Sequence, residues 1–252
     1  MEAFNIFLVV MASIALFIFI ALYFINAGYG MLFDKKWGIT LPSKIGWSIM
    51  EMVVFFIMFI LWFFSSRKLE IVPFLFFIFF ELHYFQRSFI YPLLMKGNSR
   101  MPIGIMSMAI LFNILNGYMQ GEWIFYLAPA DLYTKHWLQT PQFISGTAIF
   151  FLGMFINIQS DHVIRNLRKP GDTNHYLPQK GLYKYVTSAN YLGEIIEWTG
   201  FAILTWSWSG LVFAWWTFAN LVPRANALYH KYEKMFGKEK VGTRKRIFPF
   251  IY

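Results

Sequence analysis

Cysteine is absent from this chain, and charge is scarce: Asp, Glu, Lys and Arg make up 14% of its 252 residues, about half the share of an ordinary soluble domain. The first absence excludes disulfides, thiolate zinc sites and iron–sulfur clusters. The five histidines are scattered, with no pair at helical metal-ligand spacing, so no metal is expected. Glycine-rich phosphate loops are missing as well. Gly28-Tyr29-Gly30 lacks a third glycine and follows an apolar run rather than a strand, and the Walker, HExxH and GxSxG patterns do not occur. There is no internal repeat, no low-complexity linker and no second soluble region, so residues 1–252 read as one domain.

What fills the chain instead is apolar: 58% hydrophobic residues, 21% aromatic, and a mean hydropathy of +0.47. No charge occurs between Glu2 and Asp34 or between Trp198 and Pro223, and both runs exceed the ~20 residues that cross a bilayer. Apolar segments are expected at about Phe4–Ile25, Ile45–Phe64, Ile71–Leu94, Pro102–Tyr118, Gln142–Arg165, Ser188–Thr205 and Gly210–Val222. The first part of the tail from Pro223 is expected to continue the last helix. If all seven cross, alternate loops share a side. One side then collects roughly eighteen Lys and Arg and the other about three. The expectation is an all-α integral membrane protein with seven transmembrane helices, N-terminus outside and C-terminus cytoplasmic. The net charge of +9 therefore points to lipid and not to nucleic acid.

Ionisable groups inside such segments are expensive and stand out as functional candidates. Glu51, Glu81, Glu194 and Glu197 qualify, although each alone also fits a structural pair between helices. Three- and four-residue spacing groups them into stripes. These are Glu81, Tyr84, Arg87 and Tyr91; Asn157, Asp161, Arg165 and Arg168; and Asn190, Glu194 and Glu197. Lipid cannot satisfy such stripes, so they are expected to face one another or a polar pocket open to the cytoplasm. Lys96, Arg100, Arg165, Arg168 and Lys169 crowd its mouth, a pattern suited to phosphate. For Lys169, Lys184 and the tail from Lys238 to Arg246, contact with anionic lipid is the preferred reading; for Arg165 and Arg168, a ligand.

Longer stretches carry a resemblance. His83-Tyr84-Phe85-Gln86-Arg87-Ser88-Phe89-Ile90-Tyr91, Asn116-Gly117 with Gln120-Gly121, and Gly153-Met154-Phe155-Ile156-Asn157-Ile158 with Ser160-Asp161 are three of them. Leu167-Arg168-Lys169-Pro170-Gly171, Gly181-Leu182, the run Ala189-Asn190-Tyr191-Leu192-Gly193-Glu194-Ile195-Ile196-Glu197-Trp198, Lys234-Met235-Phe236 and the terminal Ile247-Phe248-Pro249-Phe250-Ile251-Tyr252 are the others. Together they resemble the steroid 5-alpha-reductase family, most nearly its type 2 members, across essentially the whole chain. The resemblance implies a seven-helix, NADPH-dependent enzyme that reduces the carbon–carbon double bond of a 3-oxo-Δ4 steroid to the 5-alpha product. It makes Tyr84 the donor to the substrate carbonyl with Glu51 sharing that bond, which requires Glu51 to be protonated or to reach the oxygen through Tyr84. Trp47 and Met50 would lie at the steroid. Tyr29, Arg87, Asn157, Asp161, Arg165, Arg168, Asn190, Glu194, Glu197 and Tyr232 would hold the cofactor, with Lys96, Arg100 and His175 near its phosphates.

The chain also departs from the family. Met50 stands where a glutamine is common, His175-Tyr176 replaces a tyrosine–arginine pair, Lys96, Asn98 and Arg100 replace two arginines, and Leu228 replaces a histidine. Roughly residues 1–100 would serve the substrate and 101–252 mainly the cofactor. Expected partners are a steroid or other flat enone arriving from the lipid, and membrane lipid itself, with the protein a monomer. A bacterial inner membrane is favoured over the endoplasmic reticulum. Two other readings stay open: a membrane methyltransferase of the isoprenylcysteine type using S-adenosylmethionine, against which Glu51 and Tyr84 argue, and a non-enzymatic lipid or sterol carrier.

Overall fold

A computed structural model of the protein describes every residue except 170, 171 and 173; the Pro170-Gly171 part of the Arg168-Lys169-Pro170-Gly171 motif therefore lies outside the described residues. Helix occupies each of the expected apolar segments: α1 (Glu2–Ala21), α2 (Ser43–Phe64), α3 (Ile71–Phe85), α5 (Ile103–Glu122), α6 (Pro141–Asn166), α7 (Ala189–Thr205) and α8 (Trp208–Phe236). A wide π turn, Gln86–Ile90, carries α3 on into the short α4 (Tyr91–Leu94), and a second, Trp123–Leu127, prolongs α5. Counting that extension, four helices among the described residues are long and apolar enough to cross a membrane: Glu2–Ala21, Ser43–Phe64, Ile103–Leu127 and Pro141–Asn166. A last helical turn, α9, is Lys238–Val241.

Local chemistry sets several boundaries. Pro141 opens α6 at a position where its missing N–H costs nothing, and the Thr140 hydroxyl accepts from the Phe143 amide at 3.2 Å. Only Trp206 and Ser207 separate α7 from α8. Trp206 takes the left-handed conformation at φ 46°, and the Ser207 hydroxyl then caps α8 by accepting from the Gly210 amide at 3.0 Å. As expected, α8 runs on beyond the apolar segment, through Pro223 to Phe236.

Unexpected from the sequence is a small antiparallel ribbon of β1 (Thr40–Pro42) and β2 (Arg100–Pro102). Each strand leads directly into a helix, β1 into α2 and β2 into α5, so the ribbon fastens the feet of these two helices together. Arg100 reinforces it by donating to the Thr40 hydroxyl at 2.7 Å and to its carbonyl at 2.6 Å.

Glycine sets the tightest packing. On α6 and α7 they recur at a seven-residue interval, Gly146 and Gly153 facing Gly200 and Gly193, so the antiparallel backbones touch. A methyl group on Gly153 would collide with the Glu197 backbone, and one on Gly193 with the Asn157 backbone. That contact fixes the register: two turns along, it sets Asn157 and Asp161 beside Asn190. The α2–α5 pair uses the same device, since a Cβ on Gly117 would lie 2.8 Å from Ile57 and one on Gly121 2.6 Å from Leu61. Between α1 and α8 the fasteners are indoles: Trp215 and Trp216 donate to the Ala12 and Met11 carbonyls at 3.2 and 2.8 Å. The main core, including Phe76, Phe80, Phe150, Trp198 and Phe201, fills the space where α3, α6, α7 and α8 converge.

Candidate active site

At the end of this bundle is a cavity of about 620 Å³ to which α1, α2, α3, α5, α6, α7 and α8 all contribute. One part of its wall is apolar, with Leu22, Met108, Phe112 and Trp216. The other is polar and holds Glu51, Tyr84, Arg87, Asp161, Arg168, Asn190, Glu194 and Arg224.

Arg87 is the hub of the polar side. It sits in the π turn that widens the helix after α3, a feature that re-aims side chains and is frequent at functional sites. Its guanidinium stands 4.7 Å from the centre of the Trp47 ring and 4.5 Å from that of Tyr91, and donates to Asp161 Oδ2 at 3.1 Å. The other Asp161 oxygen accepts from the Asn190 side-chain amide at 3.2 Å. Asn190 Oδ1 accepts in turn from Tyr183 at 3.2 Å, and its backbone carbonyl accepts from Asn157 at 2.9 Å. Each buried side chain in this hydrogen-bonded series from Arg87 to Tyr183 is thereby held by another, which fixes the donors and acceptors left facing the cavity.

Tyr84 lies on the same helix, nearly one turn before Arg87. It is buried against Phe80, His83 and Trp198, and its hydroxyl oxygen accepts from Asn116 Nδ2 at 3.2 Å. Asn116 uses only its N–H here, so the phenol hydrogen of Tyr84 remains free to donate elsewhere. Behind Tyr84, His83 Nδ1 and Glu197 Oε1 are 2.8 Å apart with both side chains buried. Glu51 is half-buried and opens to the cavity beside Met50, whose carbonyl accepts from Asn113 at 2.6 Å.

At the outer end Arg224 joins three elements. It donates to Tyr191 at 2.8 Å and to the carbonyls of Ala27 and Tyr29 at 3.0 and 2.9 Å, with its guanidinium 3.6 Å from the Tyr29 ring centre. Burial pushes the Tyr29 phenol up to about 12, so it stays a neutral donor, although Arg224 pulls the other way. His175 Nδ1 accepts a hydrogen bond from Arg168. Its ring is held below the ordinary histidine value by burial first and by the cations Arg168 and Lys231 second, which keeps it a neutral acceptor.

Of the residues singled out from sequence, Tyr29, Trp47, Met50, Glu51, Tyr84, Arg87, Asp161, Arg168, His175, Asn190, Glu194 and Tyr232 line this one cavity. Asn157 and Glu197 sit one layer behind, holding Asn190 and His83. Lys96, Arg100 and Arg165 are not among its lining residues. Lys96 donates to Asn166 at 2.9 Å, Arg100 is spent on Thr40, and Arg165 pairs with His162 at 3.2 Å on the exposed side of α6. Glu81 does not reach the cavity either; it is buried, and neither of its oxygens finds a partner among the described residues. No three His, Asp or Glu side chains gather to hold a metal ion among the described residues. Sequence reasoning missed Arg224 and Asn116 as site residues. The signal for Arg224 was its position, the first charge after the uncharged run that ends at Pro223.

Comparison with known proteins shows the family of the chain. A family model described as 3-oxo-5-alpha-steroid 4-dehydrogenase matches residues 99–252. The chain is similar to the steroid 5-alpha-reductase DET2 of Gossypium hirsutum, 38% identical over 249 residues that cover 95% of this chain and 93% of the relative. It is 45% identical to 3-oxo-5-alpha-steroid 4-dehydrogenase 1 of Homo sapiens over 173 residues, 69% of this chain and 65% of the relative. With the DET2 reductase of Arabidopsis thaliana it shares 36% identity over 239 residues, 92% and 90% of the two chains.

Proposed function

Because this chain belongs to the 3-oxo-5-alpha-steroid 4-dehydrogenase family, the steroid 5-alpha-reductases, we propose that it reduces the carbon–carbon double bond of a 3-oxo-Δ4 steroid with NADPH, giving the 5-alpha product. The observation that carries this reading is the single cavity joining Tyr84 and Glu51 to the Arg87–Asp161–Asn190 chain, with an apolar wall on one side and Arg168 and Arg224 on the other.

The donor set fits a nicotinamide dinucleotide. Arg168 and Arg224 suit its phosphates, Tyr29, Tyr91 and Tyr232 offer ring faces and hydroxyls, and Asp161, Asn190 and Glu194 suit ribose hydroxyls and a carboxamide. When bound, NADPH supplies a hydride to the substrate carbon beta to the carbonyl. Negative charge then develops on the carbonyl oxygen, where the chain's task is to stabilise it until a proton added at the carbon alpha to the carbonyl completes the reduction. Tyr84 donates its phenol hydrogen to that oxygen. Asn116 keeps this hydrogen available, because it occupies a lone pair of the Tyr84 hydroxyl oxygen as a donor. Glu51 shares the carbonyl bond from α2. Trp47 and Met50, with Met108, Phe112 and Trp216, form the slot for the flat apolar substrate and keep water from the reacting atoms. Behind this layer the His83–Glu197 pair and Trp198 hold Tyr84 in place.

In the membrane, the apolar helices are read as seven crossings. The N-terminus lies outside, and the basic loops and tail are cytoplasmic, where NADPH is available. Helices α2 and α3 present the catalytic pair, α2, α5 and α8 the steroid slot, and α6 to α8 most of the cofactor contacts.

Cofactor class is the quickest test. Detergent-purified protein is titrated with NADPH and, separately, with S-adenosylmethionine, following intrinsic tryptophan fluorescence. Saturable binding of NADPH alone is expected; binding of S-adenosylmethionine without NADPH would turn the assignment to a membrane methyltransferase.

A further inference from the structure

A second concavity, of about 630 Å³, opens between the segment that follows α1 and the outer part of α8. Lys35 and Lys36 stand on one wall. Lys231 and Lys234, three residues apart and so on one face of α8, stand on the other with His230. The acids nearby are already engaged: Asp34 is 3.1 Å from Lys36, and Glu233 is 3.0 Å from His230. Lys35, Lys231 and Lys234 form no ion pair among the described residues, so like charges face one another across a cleft. An anion between the walls would turn that repulsion into a bridge.

The surroundings indicate what kind of anion. Immediately before the cleft, Phe24 and Ile25 are exposed, as is Phe33 in its wall and Met235 on α8. Each lies within two residues of a wall residue of the cationic cleft or is one itself, which puts an apolar rim beside it. A water-soluble phosphate has no use for such a rim, whereas a phospholipid needs both parts, cations for its headgroup and apolar side chains along its acyl chains. We propose that this cleft is a binding site for the headgroup of an anionic phospholipid, with its acyl chains against Phe24, Ile25 and Phe33. Bridging would matter beyond anchoring. The two walls belong to the elements that carry Tyr29 and Tyr232 into the main cavity, and a headgroup between them adds an outer fastening to the one made by Arg224.

The test uses the full-length protein in neutral detergent, incubated with dioleoyl-phosphatidylglycerol or dioleoyl-phosphatidylcholine and examined by native mass spectrometry. Retention of phosphatidylglycerol over phosphatidylcholine is expected. The double substitution Lys231→Gln with Lys234→Gln should lower phosphatidylglycerol retention by roughly 10-fold or more. The control pair Lys68→Gln with Lys135→Gln, in the loops after α2 and before α6 and outside the cleft, should leave it unchanged. Equal retention by wild type and the Lys231/Lys234 variant overturns the site, and equal retention of the two lipids overturns its preference for negative charge. Complete displacement of phosphatidylglycerol by an equal concentration of inorganic phosphate would assign the cleft to a soluble phosphate and overturn the lipid.

Discussion

Replacing Tyr84 by Phe removes one oxygen from the site and leaves the ring packed against Phe80, His83 and Trp198, so its consequences can be worked through atom by atom. Two separate losses follow. The substrate carbonyl loses a preorganised donor at the moment its oxygen becomes negative, which for a single donor of this kind lowers kcat by ~10²–10³. Asn116, with no exposed surface, loses the acceptor of its Nδ2 group while its Oδ1 already lacks a partner. An orphaned buried donor costs about 1–3 kcal/mol of stability. The variant should therefore bind NADPH with near-wild-type affinity, melt at a lower temperature and turn over at least a hundredfold more slowly at saturating substrate. Adding Asn116→Leu removes the orphaned donor and should recover part of the melting temperature without recovering kcat. That split separates a catalytic hydroxyl from a structural one. The assay is NADPH consumption at saturating steroid, with cofactor affinity from fluorescence and stability from thermal unfolding in the same detergent. A Tyr84→Phe protein with wild-type kcat would refute the role assigned to the phenol, and equal recovery of kcat and stability in the double variant would make the hydroxyl merely structural.

Three further outcomes are expected. Arg168→Ala should raise the KM for NADPH while leaving steroid affinity unchanged, because Arg168 lines the polar part of the cavity; steady-state kinetics in both substrates checks it. Gly193→Ala forces α6 and α7 apart at the Asn157 backbone and should cost about 1–3 kcal/mol or more, seen as a lower melting temperature together with weaker NADPH binding as Asn190 leaves Asp161. His175 has its proton affinity lowered in the folded protein, so the unfolded chain takes up the proton first as pH falls. Its contribution to stability is full above the ordinary histidine value of about 6.5 and is lost below it. Thermal unfolding between neutral and mildly acid pH should show this decline, and His175→Gln should flatten it.

Much of the site was legible because helical spacing is short-range information. Tyr84 and Arg87, or Asn157 and Asp161, share a face whatever the rest of the bundle does, and an ionisable group in an apolar helix has few places to go. The same reasoning overreached for Lys96, Arg100 and Arg165. Long exposed side chains at a helix end choose among several directions, and here each found a nearer partner in Asn166, Thr40 or His162. Asn157 and Glu197 lie on the right faces but serve as supports for Asn190 and His83, a distinction that depends on how close the glycine contacts bring α6 to α7. The β1–β2 ribbon joins residues 60 apart through strands of only three residues, too short to leave a period in the sequence. Arg224 read as one basic residue of the tail, because nothing local reveals that it folds back onto the carbonyls of Ala27 and Tyr29.

The central claim, that this cavity delivers hydride to the double bond of a 3-oxo-Δ4 steroid, is tested most directly by giving the purified protein NADPH and testosterone and identifying the product. The account predicts NADPH consumption matched by a steroid heavier by two hydrogens that co-elutes with the 5-alpha standard. A 5-beta product, or bound NADPH with testosterone left unchanged, would contradict it.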